Sequence, residues 1–143
     1  AVFSATWNGI PLMYSGQELP LKKRLEFLEK DTIDWSEKNE LENFYKKLYI
    51  LKANNPALRG GDSAIKTYFV NTSEDDKILA YIRKNGKDEV LVILNFSKES
   101  VYFNLNDAEV SGLFKDFFEG SKLDFSQSKD FNLEIGGYLI FEK

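Results

Sequence analysis

The chain has 143 residues, 43% of them hydrophobic and 15% aromatic, and carries a net charge of −4 at pH 7. That length and apolar content suffice for one sizeable core, and the acidic balance speaks against a nucleic-acid partner, which needs clustered Lys and Arg to displace counterions. With no Cys and no His, a disulfide framework, thiolate or imidazole metal sites, Ser-His-Asp chemistry and a histidine pH switch are all excluded.

No apolar run approaches the roughly 20 residues of a helical membrane span, so no membrane partner is expected. The first residues lack the charged start and long apolar core of a signal peptide. They also lack an initiator Met, so the chain reads as a piece of something longer and its compartment stays open. No loop of spaced acids with a central Gly is present, and neither a metal nor a cofactor is expected.

In chain order, Ala1 to Trp7 is either the end of a helix or the lead-in to a strand. Ile10 to Tyr14 is a short apolar run between Gly9 and Ser15-Gly16, the pattern of a buried strand; Pro11 suits only the start of one. Gln17 to Trp35 has little periodicity and much charge. Its basic run, Lys22, Lys23 and Arg24, is followed by Glu26, Glu29, Lys30 and Asp31, so it reads as a solvated mixed-charge loop. Loops this long inside a compact domain are usually functional or disordered. From Ser36 to Asn54, Leu41, Phe44, Tyr45, Leu48, Leu51 and Lys52 recur at spacings of three and four, which predicts an amphipathic helix. Asp34 or Ser36 would cap it, Glu37 would face the positive end of its dipole, and Asn54-Asn55-Pro56 would stop it.

After a boundary near Arg59 to Asp62 the hydrophobic period changes from helical to alternating. Strands are expected at Ala64 to Val70, Lys77 to Lys84, Asp88 to Phe96, Ser100 to Leu105, Leu113 to Phe118, Lys122 to Phe125, Phe131 to Ile135 and Tyr138 to Phe141. Asn85-Gly86 is a strong hairpin signal. Val90 to Leu94 is unbroken and apolar, so this strand should be central and covered on both faces. The fold class expected is mainly β: an antiparallel Greek-key β-sandwich of seven or eight strands over residues 61–143, after a helical and loop segment over residues 1–60. No repeat suggests a propeller or solenoid. Asn71-Thr72-Ser73 and Asn95-Phe96-Ser97 match the glycosylation acceptor pattern, a motif short enough to recur by accident.

Gly9-Ile10-Pro11-Leu12-Met13-Tyr14-Ser15-Gly16-Gln17-Glu18 resembles the last conserved region of the α-amylase superfamily, where Gly, Pro, a Tyr-rich step, Gly and Glu stand in the same register. Phe44-Tyr45-Lys46-Lys47-Leu48 through Asn55-Pro56-Ala57-Leu58 is similar to that superfamily's final barrel helix and its exit. Ala80-Tyr81-Ile82-Arg83 and Val90 to Ser97 look like the first hairpin of its C-terminal domain. The resemblance covers nearly the whole chain, although the last 40 or so residues match only in kind.

The resemblance implies that residues 1–60 are the remnant of a (β/α)8 barrel, namely its eighth strand, a loop and one long helix, and that residues 61–143 are the C-terminal β-domain. It further implies a parent enzyme that acts on α-glucans with retention, using two Asp and one Glu from strands that precede Ala1, so no catalytic residue is expected in this chain. Gly9, Pro11, Tyr14, Gly16, Gln17 and Glu18 carry over as a structural motif at the barrel mouth. Arg24 and Trp35 are the candidate substrate contacts in the loop Leu19 to Trp35; Trp35 can equally pack beneath the helix. The acids Asp75-Asp76, Asp88-Glu89 and Asp107 to Glu109 fall in expected turns, where solvated charge is the ordinary explanation. The partners implied are the α-glucan, met through the parent enzyme, and the rest of the barrel, with self-association of the piece through its helix as a further expectation.

Two other functions compete with an enzyme fragment. A carbohydrate-binding β-sandwich module would show an exposed aromatic platform, and a purely structural domain would shield one side of the barrel.

Overall fold

The computed structural model describes residues 1–19, 21, 23–36 and 41–143. Two helices come first, α1 (Val2–Thr6) and α2 (Glu42–Asn54), followed by a 3-10 turn at Pro56–Leu58. Eight strands follow: β1 (Lys66–Phe69), β2 (Ile78–Asn85), β3 (Asp88–Asn95), β4 (Val101–Leu105), β5 (Leu113–Asp116), β6 (Lys122–Asp124), β7 (Lys129–Leu133) and β8 (Tyr138–Glu142). Each lies within about two residues of its expected place. The strands form a six-stranded antiparallel sheet in the order β1-β2-β3-β8-β5-β6 and a two-stranded sheet, β4-β7. After residues 134–137 the chain crosses from β7 of the smaller sheet back to the larger one, where β8 lies between β3 and β5.

The larger sheet is buried on both faces, which is why β3 reads as a continuous apolar run. Its Leu91 and Ile93 join Ile78, Ala80 and Ile82 of β2 against Val101, Phe103 and Leu105 of β4, forming the sandwich core. Its Val90, Val92 and Leu94 turn the other way with Tyr81 and Ile140. That second face is covered by Val2 and Ala5 of α1, Leu48 and Leu51 of α2, and Ala57 and Leu58 of the 3-10 turn. The helix expected to dock on the sandwich or on another copy therefore docks on the sandwich.

Polar groups pin this helical layer. Thr6 Oγ1 donates its one proton to the Val2 carbonyl at 2.7 Å, so in the 2.6 Å contact between Thr6 Oγ1 and the Tyr81 hydroxyl the tyrosine must be the donor. Burial pushes the Tyr81 pKa up to about 12. Arg83, only 2% exposed, donates from Nε to the Ala57 carbonyl at 3.3 Å. Lys52 Nζ donates to the Trp7 carbonyl at 2.8 Å. Burial lowers the pKa of both cations, and Arg83 lowers that of Lys52 further. Asn95 is buried and spends its amide on the carbonyls of Glu99, Leu133 and Glu134, which removes it as a glycosylation acceptor.

Three expectations are corrected. Ile10 to Tyr14 is not a buried strand: it pairs with no strand among the described residues, and Ile10 and Leu12 are 94% and 79% exposed. A strand needs a neighbour to take its backbone hydrogen bonds, and none is offered here. The helix starts at Glu42, with Leu41 at its N-cap and no capping side chain. Asp34 instead accepts from the Ser36 N–H at 2.9 Å and closes a local turn, while residues 37–40, including Glu37, lie outside the described residues. The hairpin loop is Gly86-Lys87 rather than Asn85-Gly86, because Asn85 pairs with Asp88 in the ladder. Gly86 has φ +62° and no non-glycine residue among the described residues has positive φ, so only the first central residue is left-handed, as in a type II′ turn.

Hydrogen exchange is expected to be fast at the amides of Ile10, Leu12 and Met13 and slow from Val90 to Leu94; equal protection would contradict the unpaired state of the first segment. Leu48→Ala should cost about 2–5 kcal/mol in urea unfolding, whereas a loss below about 0.5 kcal/mol, typical of surface sites, would mean that α2 is not docked.

Candidate functional site at the Gly9 to Glu18 turn

The second half of the decapeptide builds a turn from its own atoms. The Tyr14 N–H donates to Gln17 Oε1 at 2.7 Å, and the Gln17 N–H donates to the Tyr14 carbonyl at 3.0 Å. The Gly16 N–H donates to Glu18 Oε2 at 3.1 Å, and the Leu41 N–H donates to the Glu18 carbonyl at 3.2 Å. Gln17 and Glu18 thus hold backbone at this place, and Glu18 also ties the turn to the start of α2. Gly16 sits at φ +88°, and a Cβ there would come within 3.1 Å of Leu21 Cδ2, so backbone shape and available space both call for glycine.

The first half of the motif is held from a distance. A Cβ on Gly60 would lie 2.7 Å from the Gly9 carbonyl oxygen, so the chain entering the motif passes directly over the exit of α2. Pro11 is half-buried and lines a small recess with Gln17, Tyr45 and Tyr49.

Beyond the turn lies an open cavity of about 810 Å³, lined among others by Tyr14, Gly16, Gln17, Lys23, Arg24 and Phe27. The loop around it is tied by Asp31, which accepts from Lys23 Nζ, from the Glu26 N–H at 3.1 Å and from the Thr32 N–H at 2.7 Å. The Lys23 bond, helped by the two backbone bonds, lowers the Asp31 pKa to about 2. Arg24 lines this cavity, but Trp35, 55% exposed, is not among the described residues that do. The structure therefore does not bring the two candidate contacts into one pocket, and Lys22 lies outside the described residues.

Retaining glycoside hydrolysis needs two carboxyl groups about 5 Å apart. Among the described residues the cavity lining offers one, Glu26. The other acids weighed from the sequence that make turn contacts act as turn caps: Asp75 accepts from the Thr72 N–H at 2.6 Å. Asp107 accepts from the N–H groups of Asn71 and Glu109, each at 2.9 Å, and these bonds lower its pKa. The role of Asp31 was missed in the sequence; its only signal there is an Asp-Thr pair, common in loops of every kind.

Residues 68–141 match the family model described as the maltogenic amylase C-terminal domain. The chain belongs to that family. It is 27% identical over 133 residues to "Alpha-amylase 2" of Dictyoglomus thermophilum, a match covering 85% of this chain and 21% of the relative. It is 25% identical over 144 residues to "Maltogenic alpha-amylase" of Bacillus acidopullulyticus, covering 99% of this chain and 24% of the relative. Among solved structures, a maltogenic α-amylase from Thermotoga neapolitana superposes with a TM-score of 0.76 at 20% identity over 99% of this chain and 34% of its own, a likeness of fold. The chain thus spans between a fifth and a quarter of the curated relatives it matches; in them, this maltogenic amylase C-terminal domain is one part of a larger protein.

Gly16→Ala should loosen the loop, read as faster limited proteolysis between residues 14 and 35 with the sandwich intact. Because the folded Asp31 pKa is depressed, its bonds contribute fully above the ordinary value of 3.8 and are lost as the pH falls toward about 2. An NMR titration of the Asp31 carboxyl carbon should have its midpoint near 2; a midpoint near 3.8 would show that the knot is not formed.

Proposed function

We propose that this maltogenic amylase C-terminal domain, together with residues 1–60 as the remnant of a catalytic barrel, is the supporting end of a retaining α-amylase-type glycosidase that acts on α-glucans such as starch or maltooligosaccharides. The chain is not itself catalytic; its role is to hold the barrel. The observation that carries this reading is the shared core: α1, α2 and the 3-10 turn pack directly on the outer face of the large sheet. A helix of the barrel wall and the sandwich then form one packed unit rather than two bodies joined by a linker.

Exposed apolar side chains in residues 1–60 support the same reading. Ile10, Leu12, Phe27 and Leu28 are all largely exposed, and large apolar side chains left in water cost free energy. The partner that would cover them is the rest of the barrel, with Arg24 and Trp35 at the rim of its substrate cleft. Self-association through the outer side of α2, where Ile50 is exposed, would be the substitute in the isolated piece. Domains divided near residue 60 in this way remain tied by the contacts of Arg83 with Ala57, Asn85 with Pro56 and Asn55 with Glu142.

Deleting residues 62–143 from the parent should lower its melting midpoint by at least about 5 °C, the effect of a few kcal/mol in a protein of that size, while the kcat of the molecules still folded stays close to the parent's. Unchanged melting would overturn the supporting role. The 143-residue chain alone should release no reducing sugar from amylose, and release of any would refute the absence of a catalytic group.

A further inference from the structure

The smaller sheet has a solvent face that the supporting role leaves unused. Val101, Phe103, Leu105 and Leu133 point into the sandwich core, so the alternate residues of β4 and β7 point outward. The register pairs Tyr102 with Asn132 and Asn104 with Asp130. One step further out, Ser100 Oγ donates to Glu134 Oε2. Three cross-strand rows therefore lie side by side on this face, about 7 Å from one to the next.

The outer two rows are tied within themselves. Asn104 Nδ2 donates to Asp130 Oδ1 at 3.0 Å and to Ser128 Oγ, while Ser100 is bonded to Glu134. Their carboxylates keep lone pairs free for further donors. In the middle row the Tyr102 ring is 67% exposed. Neither its hydroxyl nor the Asn132 amide has a hydrogen-bond partner among the described residues.

A flat aromatic ring beside a free planar amide, fenced on both sides by carboxylates and amides already held in place, is the chemistry that recognises a pyranose. The apolar C–H face of the sugar lies on the ring, and its equatorial hydroxyls meet the amide and carboxylate groups at the edges. Two other exposed aromatics of the β-domain lean instead on rings of the α1 segment. Phe96 leans on Phe3, with ring centroids 6.4 Å apart, and Phe69 leans on Trp7 at 5.9 Å.

We propose that the outer face of β4 and β7, centred on Tyr102 and Asn132, binds one glucosyl unit of an α-glucan chain. The choice of an α-glucan rests on the function proposed above; the site itself rests on the rows. In the parent such a site would hold a polymer near the enzyme and raise its local concentration.

Native electrophoresis of the 143-residue chain through gels with and without soluble starch tests this. Starch should retard the chain, Tyr102→Thr should abolish the retardation while keeping the strand's β-propensity, and Tyr102→Trp should preserve it. Asn132→Ala, at an exposed position, should weaken it several-fold, and Phe96→Ala should leave it unchanged. No retardation of the unsubstituted chain, or equal retardation of Tyr102→Thr, overturns the site. Equal retardation by hydroxyethylcellulose overturns the commitment to an α-glucan. Starch cleavage by the parent is measured separately, so a parent that digests starch beside a chain that starch does not retard refutes the surface site alone.

Discussion

The structure depends on one strand that is apolar on both faces. Val90 to Leu94 of β3 is buried along its whole length, and a strand of that kind is stable only where both sides of its sheet are covered. On one side β4 and β7 supply the cover, and β8 is drawn in beside β3 to complete the ladder. On the other side the cover comes from outside the sandwich, from α1, α2 and the 3-10 turn. A sandwich cut off near residue 61 would leave Tyr81, Val90, Val92 and Ile140 facing water, so the helical layer is a structural requirement of the β-domain.

The helical layer and its seam with the sheet hold two cations, Arg83 buried and Lys52 half-buried, that have no carboxylate partner among the described residues. Arg83 reaches the Ala57 carbonyl and Lys52 the Trp7 carbonyl, at the places where the 3-10 turn and α1 end. Carbonyls at helix ends lack intrahelical partners and carry partial negative charge, so a cation there satisfies acceptors that burial would otherwise leave empty. The lowered pKa of both groups marks the desolvation each bears; the carbonyl contacts offset part of it. Asn85, donating to the Pro56 carbonyl at 3.2 Å, and Asn55, donating to the Glu142 carboxylate at 2.8 Å, add further bonds at the same seam. Apolar burial brings the helix and sheet together, and these directional contacts fix where α2 leaves the sheet.

How much of this was legible in the sequence follows from the range of the forces involved. Period-two alternation and turn residues act over a few positions, so all eight strands were readable near their true places. The pairing of β4 with β7 in a separate sheet was not, because it depends on contacts about thirty residues apart that no local pattern records. The start of α2 was misplaced for a related reason: Asp34 and Ser36 have the chemistry of helix caps, but they bond to each other and close a turn of their own. At the site, the turn bonds of Gly16, Gln17 and Glu18 run between a few adjacent residues, the range over which a short motif can act. Where Arg24 and Trp35 sit depends on how a long loop folds, which no short pattern records.

The decapeptide itself divides along the same line. Tyr14 to Leu19 forms its turn because the N–H groups of Tyr14, Gly16, Gln17 and Leu19 each find an acceptor within three residues. Ile10 to Met13 is as strand-like by composition as β3, yet it stays extended and exposed, because a strand's hydrogen bonds must come from another strand and its side chains from another layer. A single motif can therefore hold one half that is encoded locally and one half that is only a request for a partner. The apolar residues left in water around that unpaired half lie beside a turn that is closed by its own bonds.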